Sequence, residues 1–168
     1  MIGRLVALGV TALVISCSTQ SCLVQKPSLG NSATGSRKLV AEMDRGWAHY
    51  EVYRSGDKPK SGTPITLSIR VFDKGGESPL RKISSSLQQY NEFYEYLLNR
   101  ARYDLLLVQG QDAYYPTAFI FENGYRALPF ETIVVTYTPL KLKRTRNHPL
   151  RLLYLDKVFS HDTLSCLL

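Results

Sequence analysis

In the stretch "PITLSIRVFD", Ile65, Leu67, Ile69 and Val71 alternate with Thr66, Ser68 and Arg70. This period of two marks a strand with one face in a core and one toward water. Five further stretches, "WAHYEVYR", "RYDLLLVQ", "AYYPTAFIFE", "ETIVVTYT" and "LRLLYLDKVF", carry the β-branched and aromatic side chains that suit a pleated surface. Asp73-Lys74-Gly75-Gly76 and Asn123-Gly124 supply turn chemistry between them. One segment changes period. Ser78-Pro79 offers an N-cap with proline at the first helical position, and Ile83, Leu87, Tyr90, Tyr94, Leu97 and Ala101 then recur at spacings of three and four. An amphipathic helix must cover something, so its tyrosines are assigned to the core rather than to a binding groove. The expected fold is mainly β (α+β): a small β-sandwich-like antiparallel sheet domain, with one long amphipathic helix between the second and third strands.

The N-terminal segment follows neither period. After Arg4, residues Leu5 to Ile15 form an apolar run of about 16 Å as helix, against the roughly 30 Å of a bilayer core. It reads as a targeting segment, with a buried N-terminal helix the weaker alternative. Residues 18 to 45 are rich in Ser, Thr, Gly and Asn with no sustained period, the composition of a tether. The expected organisation is therefore a signal peptide over 1–16, a flexible tether over 17–45 and one β-rich globular domain over 46–168. One domain also matches a length of 168 residues.

The run ends at Val14-Ile15-Ser16-Cys17, and this quartet resembles the lipobox of bacterial lipoproteins. Val14 and Ile15 depart from the commoner Leu and small residue, while Ser16 and Cys17 fit. The resemblance covers about the first tenth of the chain and says nothing of the folded domain. It implies diacylglyceryl transfer to the Cys17 thiol, cleavage before it, and a membrane anchor at the first mature residue. Two or three acyl chains hold a protein at a bilayer essentially permanently, at about 0.8 kcal/mol per buried CH₂. The rival readings are ordinary signal-peptidase cleavage with Cys17 as a disulfide partner, and a CxxxxC zinc half-site that lacks a second pair. Ser18 in place of Asp implies no inner-membrane retention. The acidic run that marks surface export in Bacteroidetes-type lipoproteins does not follow Cys17. The expected location is the bacterial cell envelope, on the outer membrane facing the periplasm. Cys22 and Cys166 would remain, and a bond between them stays open.

A net charge of +7, or +6 once Arg4 leaves with the signal, favours anionic partners without naming one. Its densest source is "KLKRTRNHPLR", where Lys141, Lys143, Arg144, Arg146 and Arg151 occur without an acid. Each could contribute about 1 kcal/mol at an anionic lipid surface, although a solvated hairpin loop is the simpler reading. Nucleic acid is disfavoured as a partner, because a signal sequence leads away from it and the loop lacks interleaved aromatics.

Catalytic spacing is not found. His49, His148 and His161 are scattered, so no metal and no cofactor are expected, and no phosphate-binding, dinucleotide or nucleophile-elbow motif occurs. Ser160-His161-Asp162 holds the residue types of a hydrolytic triad, but sequence neighbours cannot easily point at one another. Asp104, Asp112 and Asp156 are dispersed. Tyr114, Tyr115 and Tyr125 are candidates for a contact surface, against the simpler reading as core or cross-strand pairs. The function these observations favour is a lipid-anchored, non-catalytic envelope module that docks other envelope proteins. The alternatives are a lipoprotein holding a glycan or hydrophobic ligand, and, by analogy of fold alone, a β-sandwich lipoprotein of a secretion machine. Metabolic labelling with a fatty acid tests the anchor: wild type should incorporate label and Cys17→Ser should not, and equal labelling of the two would exclude it.

Overall fold

The computed structural model describes residues 37–56, 58–124, 128–138 and 149–168, and these hold nine strands and two helices. Strands β1 (Arg37–Arg45), β2 (Ala48–Ser55) and β3 (Ile65–Asp73) come first. Helices α1 (Pro79–Ile83) and α2 (Leu87–Asn99) and a 3-10 turn (Ala101–Asp104) follow. Then come β4 (Leu105–Gln109), β5 (Asp112–Tyr114), β6 (Ala118–Glu122), β7 (Phe130–Tyr137), β8 (Arg151–Leu155) and β9 (Thr163–Leu167). They form two antiparallel sheets, of order β1-β2-β3-β7-β6 and β5-β4-β8-β9. The fold is the mainly β, sandwich-like domain that the alternation implies.

Register explains the core. In β3 the inward row Ile65, Leu67, Ile69 and Val71 is buried throughout, and it faces Tyr137, Val135, Ile133 and Glu131 of β7 residue for residue. Leu105, Leu107, Leu152, Tyr154, Leu164 and Cys166 of the second sheet complete one apolar cluster with them. Burial pushes the Cys166 thiol up to about 11, which leaves it protonated and inert at neutral pH.

The structure corrects four features of the expected architecture. Residues 37–45, expected in the tether, are strand β1, paired to β2 from Arg37↔Ser55 to Arg45↔Ala48. Leu39 and Ala41 straddle a bulge at Val40 that shifts its register, and this interruption hides the period of two in the sequence. The long helix is broken in two at Ser84-Ser85-Ser86. There the Ser84 hydroxyl donates to the Leu80 carbonyl and Ser86 caps α2 by accepting from the Gln89 N–H, the local bonds that make serine a poor helix interior. Leu87, expected on the apolar stripe, is exposed as a result. "AYYPTAFIFE" is two strands in different sheets, since Pro116 cannot donate to a ladder. Finally, β9 is a strand that its short, mixed composition concealed. Tyr90 and Tyr94 do pack against the core, with Tyr94 edge-on to Phe121 at 5.9 Å.

Two buried carboxylates fix the chain where it leaves the sheets. Asp156 follows directly on β8 and is 1% exposed. Its Oδ1 accepts from the N–H groups of Val158 and Phe159, each at 3.0 Å, and from the Tyr154 hydroxyl at 3.3 Å. Its Oδ2 accepts from Tyr50 of the other sheet at 2.5 Å and from the N–H and hydroxyl of Ser160 at 2.7 and 2.8 Å. Burial and the nearby Asp156 charge both hold the Tyr50 and Tyr154 hydroxyls protonated far above the ordinary tyrosine range. Glu131, fully buried on β7, accepts from the Ser78 hydroxyl at 2.8 Å and from the Gly124 N–H at 2.9 Å, tying the start of α1 to the β6–β7 turn. Gly124 is required there. A Cβ would lie 2.8 Å from the Phe130 carbonyl and 3.0 Å from that of Leu128.

Asp156→Ala should lower the unfolding free energy by about 3 kcal/mol or more, because it orphans several buried donors, and Tyr50→Phe by about 1–3 kcal/mol. Urea melts of the two variants against wild type measure both. Glu131 generates a pH effect of opposite sense to the usual carboxylate. Burial raises its folded-state pKa, so its contribution is fully present below the unfolded pKa and is lost as pH rises through the folded one. The midpoint difference between wild type and Glu131→Gln should therefore shift against wild type as pH rises from acid to neutral. A pH-independent difference would refute the raised value.

Candidate functional site

The residues that alternate outward on β1, β2 and β3 share the outer face of the five-stranded sheet. Glu42 and Glu51 are direct cross-strand partners, as are Asp44 and His49, so three acids and an imidazole form a square on neighbouring strands. Arg70 lies across from Glu51 and Phe72 across from His49 on β3, and Phe130 opposes Phe72 on β7. His49, Glu51, Tyr53, Arg70, Phe72 and Phe130 are all half-buried, while Glu42 and Asp44 are exposed.

Several of these side chains have a defined neighbour, although the Arg70 Nε has no hydrogen-bond partner. The Arg70 guanidinium sits 5.0 Å from the Tyr53 ring and 4.9 Å from the Phe130 ring. Such a clamp favours the charge through the ring faces and holds the fork in one plane. Phe130 packs at 5.1 Å on Phe72, whose ring is 6.0 Å from His49. The Tyr53 hydroxyl donates to Glu51 Oε2 at 2.6 Å. Partial burial and that carboxylate raise the Tyr53 pKa. His49 Nδ1 lies 2.9 Å from Asp44 Oδ1, and Lys74 Nζ lies 3.2 Å from the same oxygen. Hydrogen bonds from His49 and Lys74 hold the Asp44 carboxyl below its ordinary range.

Among the described residues, Glu42, His49 and Glu51 are one group whose donor atoms could hold a cation, all lying within 4.8 Å of one another. His49 Nε2 stands 4.0 Å from Glu51 Oε1, too far for a hydrogen bond. One imidazole and two carboxylates suit a divalent transition ion, and the same square suits a basic side chain from outside.

The residues singled out in the sequence are placed elsewhere. Cys17, Cys22, Tyr125, His148, Lys141, Lys143, Arg144 and Arg146 lie outside the described residues. Arg151 is exposed at the start of β8, paired with Leu167 and Val108. Tyr114 is half-buried against the core and Tyr115 is exposed. Ser160-His161-Asp162 is structural: Ser160 serves Asp156, His161 turns the chain at φ 55°, and Asp162 caps Thr163 and pairs with Arg45 at 3.0 Å. Asp104 accepts from Tyr96 and pairs with Lys157 at 2.6 Å. Sequence reasoning missed the outer face of β1–β3. The signal for it was present in the polar half of "PITLSIRVFD" and in "HYEVY", but the partner acids sit on β1, the strand read as tether.

No helix among the described residues is long and apolar enough to cross a membrane. Comparison with known proteins finds no matching family model, no similar curated protein and no similar solved structure.

Proposed function

We propose that the protein is a lipid-anchored cell-envelope domain that works by docking a protein partner on the outer face of its five-stranded sheet. The observation that carries this reading is the Arg70 clamp, a planar cation between Tyr53 and Phe130 beside the Glu42, Asp44, His49 and Glu51 square. Arginine and aromatic side chains supply most of the binding energy at protein interfaces, and a charged rim sets orientation and specificity. The lipobox resemblance at Val14 to Cys17 supports the anchor.

A ligand held between the sheets is less well supported. The gap lined by Met43, Val52, Ile69, Leu152, Tyr154 and Leu164 has no room for a water molecule. Side chains fill it to the density of a core.

Affinity capture from detergent-solubilised native envelopes tests the proposal. Wild type and a control at the exposed start of β8, Arg151→Ala, should retain the same partner. Arg70→Ala should reduce it by about tenfold or more, as loss of an arginine hot spot does. Equal retention by Arg70→Ala would remove the outer face from the function.

A further inference from the structure

Along β2 the inward row is Ala48, Tyr50, Val52 and Arg54. The last of these puts a guanidinium where the alternation calls for an apolar side chain. Arg54 is only 5% exposed. No described carboxylate pairs with it, and its Nε has no hydrogen-bond partner. Arginine does not shed its proton in proteins, so the cost of this buried charge cannot be relieved by neutralisation. An unpaired buried charge is among the most costly features a fold can carry.

Arg54 also lines a cavity of about 250 Å³, between the end of β2 and the loop that leads to β3. Lys58 and Lys60 line the same cavity, and no acid does so among the described residues. Asp57, in the same loop, lies outside them. The Lys60 carbonyl accepts from both the N–H and the hydroxyl of Thr63, at 3.3 and 2.9 Å, which fixes the turn that carries Lys60. Three basic residues thus line one concave site, Arg54 buried and Lys58 and Lys60 exposed.

We propose that Arg54, Lys58 and Lys60 bind a phosphate group, either inorganic phosphate or the phosphomonoester of a lipid headgroup. The arginine fork matches two phosphate oxygens at once, and the two lysines supply point charges for a dianion. A carboxylate would carry one charge against three. This site lies at the opposite end of β2 from His49 and does not depend on the docking face.

Isothermal titration calorimetry of the full-length chain in neutral detergent, with inorganic phosphate at ionic strength balanced by chloride, tests the proposal. Wild type should bind saturably and should unfold at a higher temperature in phosphate than in chloride. Arg54→Leu keeps the packing and removes the charge. It should bind about ten to a hundred times more weakly and lose the phosphate-dependent shift. The double variant Lys58→Gln/Lys60→Gln, confined to an exposed loop, should weaken binding about tenfold, and it tests the same site if Arg54→Leu does not fold. A wild type that responds to phosphate no more than to chloride overturns the proposal, as do variants that bind like wild type. A parallel titration with dihexanoyl phosphatidic acid distinguishes the source. Arg54-dependent binding tighter than that of inorganic phosphate identifies a headgroup, and equal or weaker binding identifies the free anion.

Discussion

The Asp156 carboxylate governs how the two sheets meet. It lies at the end of β8 in the second sheet and takes the Tyr50 hydroxyl of the first, across 106 positions of sequence. The same two oxygens collect three consecutive N–H groups of the loop that follows. Those amides can no longer extend the β8 ladder, so the strand stops at Leu155 and the chain turns back to form β9. A single buried acid therefore terminates one strand, positions the next and pins the opposite sheet. Such a group costs free energy on desolvation, and here each of its lone pairs is matched by a donor.

Glu131 and Arg54 show the other outcomes of placing polar groups on an inward row. Glu131 is served by Ser78 and Gly124, yet neither donor is charged, and burial raises its pKa. Asp73 on the neighbouring strand is instead paired with Lys82 at 2.5 Å, chiefly for which its pKa falls. Lys82 in turn lies 5.3 Å from the Trp47 ring, so the last turn of α1 is held to the β1–β2 turn by charge and ring together. Arg54 has no such counterpart among the described residues. The contrast separates internal polar groups that complete the fold from one that no described acid balances.

The outer face and the Arg54 cavity are carried by the same strand on opposite sides of its pleat. Outward positions of β2 hold His49, Glu51 and Tyr53, and inward positions hold the core and then Arg54. The strand's alternation thus sorts two recognition chemistries, one a surface suited to a folded partner and one a concave site suited to a small anion. Neither is built from the strongest charge cluster of the sequence, Lys141 to Arg151, because a run of like charges is visible without tertiary structure and a site assembled from separate segments is not.

Local pattern determined much of this protein. The period of two in Ile65 to Val71 fixed β3 and the fold class. The change of period after Pro79 located the helices, and the turn residues at Asp73 to Gly76 and at Asn123-Gly124 marked real reversals. Each of these depends on neighbours within a few positions. What tertiary structure alone decided depends on partners far apart in the chain. The β1 strand was hidden by its bulge and shows its role only when paired with β2. The helix break followed from three serines whose hydroxyls and N–H groups found local bonds. The Glu42, Asp44, His49 and Glu51 square exists only through the β1–β2 register. The meanings of Asp156 and Arg54 rest on what surrounds them, since one meets six donors and the other meets no described acid. Periodicity reports which face a side chain takes, whereas register, satisfaction and charge balance are properties of the assembled pair of sheets.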